Sequence, residues 1–130
     1  MLKILIKSFS LKKGYPELDK KHGGGFVFDC RCLPNPGREV KYQLLTGLDE
    51  EVEEFLNGDK EVLKFLNNIK SIINQAVENY ISRNFDLLSI SFGCTGGQHR
   101  SVYIATKINE YLKVTYPQTE TEIRHMEIDN

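Results

Sequence analysis

Residues 94–100 read Cys-Thr-Gly-Gly-Gln-His-Arg, and Ser101 follows. A cysteine and an arginine separated by five residues, two of them glycines, are residue types that can hold a tetrahedral oxyanion. Glycine lets main-chain N–H groups approach a ligand with no Cβ in the way. The arginine fork matches two phosphate oxygens at once. A largely apolar run, 87–92, leads in, and a helix-compatible segment, 101–112, leads out. Strand, glycine turn and helix in that order aim N–H groups and the positive end of a helix at one spot, which makes an anion site. Thr95, Gly96, Gly97, Gln98, His99, Arg100 and Ser101 are the candidate ligand-binding residues, and the ligand class is a phosphorylated small molecule.

The same outline, Cys-x5-Arg-Ser, admits a catalytic reading as a cysteine phosphatase. Cys94 would attack phosphorus as a thiolate, Arg100 and the loop would hold the equatorial oxygens, and the helix would lower the thiol pKa. A carboxylic acid would then protonate the leaving group. Asp29 and Asp49, which precede candidate loops or strand ends, are the candidates. Gly93 stands where such enzymes commonly carry histidine. Against this, Cys94 reads equally as a small buried residue, and His99 as a side chain that fixes the turn. Arg100 is harder to dismiss, because a cation at a helix N-terminus is unfavourable unless an anion balances it. The pattern Gly-x4-Gly-Lys-Ser/Thr of P-loop ATPases is absent.

The elements that must position this loop follow from periodicity. Leu2, Ile4 and Ile6 alternate in a first strand over 2–9, and Phe26 to Cys32 read as a second strand. Gly14, Pro16 and Gly23-Gly24-Gly25 punctuate the loop between them. Thr46-Gly47-Leu48-Asp49 offers cap residues for a short helix over 49–57, and Gly58-Asp59 starts a longer one. There Val62, Phe65, Leu66, Ile69, Ile73 and Val77 fall at helical spacing. A third strand over 86–92 is apolar enough to be central, and 119–128 reads as a last strand at an edge. The expected fold is a single small α/β domain over 1–130. It has a mostly parallel or mixed sheet of about four strands flanked by helices, with the phosphate-binding strand-turn-helix at 87–113. In such sheets ligands sit at the carboxyl ends of the strands.

Composition bounds the rest. With 40% hydrophobic and 27% charged residues the chain is globular rather than disordered. No apolar run approaches the ~20 residues of a membrane helix, and no signal-peptide cleavage site follows residues 1–9, so a cytoplasmic location is expected. Three cysteines without C-x-x-C spacing point to reduced thiols, not to a disulfide framework. A zinc site from Cys30, Cys32, Cys94 and His99 is conceivable but unsupported by spacing. Neither a metal nor a cofactor is expected. Net charge is −1, yet residues 1–41 hold nine Lys/Arg against four Asp/Glu. Lys12, Lys13, Lys20 and Lys21 could rim an anionic ligand's site or simply solvate a loop.

Several segments together resemble one family. Ser8-Phe9-Ser10-Leu11-Lys12-Lys13-Gly14-Tyr15-Pro16 is similar to its opening motif, and Phe26-Val27-Phe28-Asp29-Cys30-Arg31-Cys32-Leu33-Pro34-Asn35-Pro36 to its second. Thr46 to Asp49, Gly93 to Val102 and Arg124-His125 follow in order. The family is the C-terminal domain of the RapZ (YvcJ-like) RNase adapter proteins, here expected as a stand-alone domain without the P-loop nucleotide-binding domain. The resemblance implies an α/β fold that senses a sugar phosphate or nucleotide. It places Thr95, Gly96, Gly97, His99 and Arg100 in the anion pocket, with Arg31 and Asn35 contributing from the neighbouring strand end and Lys13 near by. It also raises an RNA-binding or protein-adapter role and a homo-oligomer. Gln98 stands where many relatives have lysine, and an acidic Met126-Glu127-Ile128-Asp129-Asn130 replaces the basic tail of RNA-binding relatives.

Overall fold

The computed structural model describes residues 1–17 and 24–129. Four strands, β1 (Lys3–Ser10), β2 (Gly25–Asp29), β3 (Leu87–Cys94) and β4 (Glu120–His125), form one sheet in the order β2-β3-β1-β4. Every pairing is parallel, so all four carboxyl ends share one edge. The mostly parallel or mixed sheet expected from the sequence is thus wholly parallel. As anticipated, β3 is central and β4 lies at an edge. Three helices complete the domain: α1 (Glu50–Asn57), α2 (Lys60–Ser82) and α3 (Arg100–Thr115).

Alternation sorts the sheet into two faces. Ile4 and Ile6 of β1 stand opposite Leu88 and Ile90 of β3, and all four are fully buried on the helix side. There α3 packs across β3, β1 and β4, and α2 packs against α3. Val62, Leu66, Ile69, Ile73 and Val77 supply the buried stripe of α2, spaced at three and four residues as a core-facing helix demands. Phe26, Phe28 and Phe92 stack ring on ring at 5.7 and 5.5 Å across β2 and β3. Each such contact adds ~0.5–1.5 kcal/mol beyond the area it buries. The opposite face carries the half-buried Lys3, Leu5 and Lys7, with Lys3 paired to Glu122 at 2.8 Å.

β2 is shorter than the sequence suggests. It stops at Asp29 because that carboxylate takes the Arg31 N–H at 2.9 Å and forks onto the Arg31 guanidinium. This local turn competes with the ladder. Cys30 is consequently buried and Cys32 exposed, rather than both sharing one strand face. The last strand ends at His125, not at residue 128, where the Asp129 carboxylate accepts the His125 N–H. Three short 3₁₀ turns, Leu11–Lys13, Pro36–Arg38 and Val40–Tyr42, went unanticipated. Lys20 and Lys21 lie outside the described residues. Among the described residues, no helix is long and apolar enough to cross a membrane.

His125 ties β4 to β1: its Nδ1 lies 2.7 Å from the Ser8 hydroxyl. Burial pushes its pKa below the ordinary 6.5, and the Asp129 carboxylate only partly offsets this. The unfolded chain therefore takes up the proton more readily. Stability from this group is full above the unfolded value and is lost as pH falls below it. Urea midpoints should drop on acidification from about pH 7.5 to about pH 5.5, and His125→Gln should remove that part of the drop. An identical pH slope in the variant would show that His125 does not carry it.

Candidate functional site

The carboxyl end of β3 delivers Cys94, and α3 begins six residues later at Arg100. Between them the chain must turn sharply against the end of β1. Gly97 permits this, with φ at +68° and its α-carbon so close to β1 that a Cβ would come within 2.8 Å of the Phe9 carbonyl carbon and the Ser10 nitrogen. Gly96 has open space around it. Ser10 Oγ donates to the Thr95 carbonyl at 2.8 Å and pins the loop from below. Among the described residues no backbone acceptor takes the N–H of Thr95, Gly96, Gln98 or His99. The loop thus keeps its donors for something else.

Arg100 is the cation of the site. It is only 6% exposed, at the end of a 16-residue helix where positive partial charge accumulates. Its Nη1 donates to the carbonyls of Arg31 and Leu33 at 3.0 and 3.1 Å. Its Nε is buried and has no partner among the described residues. A buried guanidinium N–H left empty costs ~1–3 kcal/mol or more, so the side chain is held in place while one donor stays unsatisfied.

Cys94 lies beside it, 2% exposed, with Sγ 3.1 Å from the Ser101 hydroxyl. Burial works to raise its pKa. The Ser101 hydroxyl, the N–H groups of Ser101 and Gly97 and the charge of Arg100 outweigh that, and the thiol lies below its ordinary value. Cys30, at the end of the neighbouring strand, goes the other way: burial first, and then the nearby Cys94, Asp29 and Cys32, push its thiol well up.

Two cavities open here. The first, about 240 Å³, is floored by Cys94, Thr95, Gly96 and Arg100 and walled by Asn35 and His99. The second, about 720 Å³, shares Asn35, Thr95 and Arg100 and extends to Arg31, Arg38, Glu39, Phe55 and Glu61. Asn35 Oδ1 accepts the Gly37 N–H, which leaves the side-chain NH₂ as its free donor. His99 lies 2.8 Å from the Tyr42 carbonyl through Nε2. A carbonyl only accepts, so Nε2 carries a proton.

The remaining predicted residues fall elsewhere. Ser101 supports Cys94 and lines neither cavity. Gln98 touches the first cavity, but its amide nitrogen donates to the carbonyls of Gln43 and Leu45 and clamps that loop. Lys13 is paired with Glu127 at 2.5 Å and lines neither cavity. Asp29 is spent on Arg31, whose bonds hold its carboxyl below the usual range, and Asp49 accepts the Thr46 N–H. Neither lines a cavity; the carboxylates that do are Glu39 and Glu61. These two and Phe55 were missed, because nothing local in the sequence brings α1 or the start of α2 to the end of β2. Among the described residues no three His, Cys, Asp or Glu side chains gather to hold a metal ion.

Comparison with known proteins is consistent across the chain. The family model described as RapZ C-terminal domain matches residues 2–129. A nucleotide-binding protein of Shewanella putrefaciens is 41% identical over 130 residues, covering 99% of this chain and 43% of that protein. Proteins named the same way from Polynucleobacter asymbioticus and Hahella chejuensis are each 37% identical, over 99% and 98% of this chain and 43% and 42% of their own lengths. The chain spans less than half the length of these relatives.

The two loop glycines separate geometry from space. Gly97→Ala should lower the melting temperature by several degrees, since it adds both a left-handed strain of ~1–2 kcal/mol and a backbone clash. Gly96→Ala should leave it unchanged. Equal melting shifts for the two variants, read by calorimetry, would contradict the loop geometry.

Proposed function

The chain belongs to the RapZ C-terminal domain family, and on that footing we propose that it binds a phosphorylated small metabolite, a sugar phosphate or a nucleotide, without assigning it turnover. The phosphoryl group would occupy the smaller cavity. The N–H groups of Thr95, Gly96, Gln98 and His99 and the Arg100 guanidinium would donate to its oxygens, and the start of α3 would add its dipole. Asn35 would add a neutral donor from the neighbouring strand end. The organic part would extend into the larger cavity, where Phe55 offers an apolar face and Arg31, Arg38, Glu39 and Glu61 offer charged partners for hydroxyl or amino groups.

One observation carries this reading: a guanidinium that is 6% exposed, fixed by two carbonyls and left with an unpartnered Nε beside a cavity. Carbonyl dipoles do not cancel a full charge, and a phosphate would supply both the missing acceptor and the missing anion. That relatives are named nucleotide-binding proteins is consistent with a phosphate-bearing ligand.

Titration with inorganic phosphate, followed by amide NMR, should shift the signals of residues 95–101 first. Arg100→Lys keeps the charge but has no fork to serve the carbonyls and an oxyanion together. It should weaken phosphate binding about tenfold or more, as expected for a charge-assisted bond of ~1.5–3 kcal/mol. Unmoved amides in this loop at millimolar phosphate would refute the reading.

A further inference from the structure

We propose that the site also supports phosphoryl transfer to sulfur: Cys94 attacks the phosphorus of an aryl or enol phosphomonoester, and water then releases phosphate. This rests on the phosphate-binding reading above and adds a reaction to it.

Two independent features converge on the same cavity. One is Arg100, a buried cation of that cavity's lining whose Nε has no partner among the described residues. The other is Cys94, a residue of that cavity's lining, whose Sγ meets the Ser101 hydroxyl at 3.1 Å. Cys30 serves as an internal control. It is equally buried and lies at the end of the adjacent strand, yet among the described residues its thiol makes one long polar contact, to the Phe28 carbonyl, a group that can only accept. A cysteine placed for packing alone resembles Cys30. Cys94 instead sits among donors, which is the surrounding a thiolate requires. The spacing of five residues between Cys94 and Arg100 lets one turn present both to one phosphoryl group.

The electrons balance without a cofactor. The Cys94 thiolate forms an S–P bond as the P–O bond to the leaving group breaks, and the leaving oxygen departs with that electron pair. Water then adds to phosphorus, the S–P pair returns to sulfur, and the product leaves as dihydrogen phosphate. Loop N–H groups and Arg100 hold the three equatorial oxygens through both steps.

The cavity also selects the substrate. Among the described residues no Asp or Glu lines it; Glu39 and Glu61 belong to the adjoining cavity. His99 has its Nε2 proton committed to the Tyr42 carbonyl. With no acid placed at the leaving oxygen, an alkyl alkoxide would depart poorly. A phenolate or enolate needs no such proton, so aryl and enol phosphates are the class that fits, and alkyl esters such as sugar phosphates would be bound and retained.

para-Nitrophenyl phosphate is the probe. The wild-type chain should release nitrophenolate, and Cys94→Ser should lose at least about a hundredfold of that rate while inorganic phosphate still shifts the loop amides. Acid quenching of the wild-type reaction should trap a phosphoryl group on the peptide containing Cys94, a readout that needs no variant to fold. Phosphate binding with no nitrophenolate release and no trapped adduct would overturn this inference and leave the binding site intact. Absence of phosphate binding as well would overturn both. Release undiminished in Cys94→Ser would assign the activity to something other than this sulfur.

Discussion

A positive side chain buried at the positive end of a helix is the constraint around which this domain is arranged. Arg100 opens α3, is almost completely withdrawn from water and is held by the carbonyls of Arg31 and Leu33. Removing such a charge from water costs several kcal/mol even after relaxation, and the helix dipole adds to the cost. The turn after β2 must therefore bring its carbonyls to the start of α3. The fork of Asp29 on Arg31 bends the chain there, and the Cys30 carbonyl closes the turn by accepting the Leu33 N–H at 3.2 Å. Strand end, turn and helix start form one unit.

The loops around the site are fastened to that unit from the far side. Gln98 reaches back to the carbonyls of Gln43 and Leu45, and the Gly47 N–H donates to the Gln98 carbonyl at 2.9 Å. Gly47 lies so close to α3 that a Cβ would stand 2.4 Å from the His99 carbonyl oxygen. The segment from 43 to 47 is thereby held against the helix start, and His99 is locked through Tyr42. The rigidity needed to present donors without a bound anion comes from these bonds rather than from the loop itself.

Much of this was legible in the sequence, for local reasons. The apolar run before Gly93, the glycines at 96 and 97 and the helical spacing after Arg100 each report on their own neighbourhood, so the strand-turn-helix could be located from residue types alone. Leu2, Ile4 and Ile6 announced β1 in the same way. The remainder depends on contacts between distant segments. Cys94, Thr95, Gly96 and Arg100 line a cavity, whereas Gln98 points its amide nitrogen at a loop more than fifty residues away, and Ser101 turns to the sulfur. Lys13 is neutralised by Glu127 from the chain's other end. Charge in a sequence says nothing about which opposite charge will meet it. Phe55, Glu39 and Glu61 carry no motif, and only the parallel order of the sheet places α1 and the start of α2 beside the turn after β2.

The loop that holds the donors is wedged against Phe9 and Ser10 on one side and touches Glu127 on the other, while its arginine is braced by residues 31 and 33. In chain order β1 and β2 come well before β3, and the 126–129 turn comes after β4. The loop's surroundings are therefore complete only once all of these segments have come together. A ligand cannot template the early stages of folding; it can only lock the finished domain, and its presence would slow unfolding rather than hasten assembly.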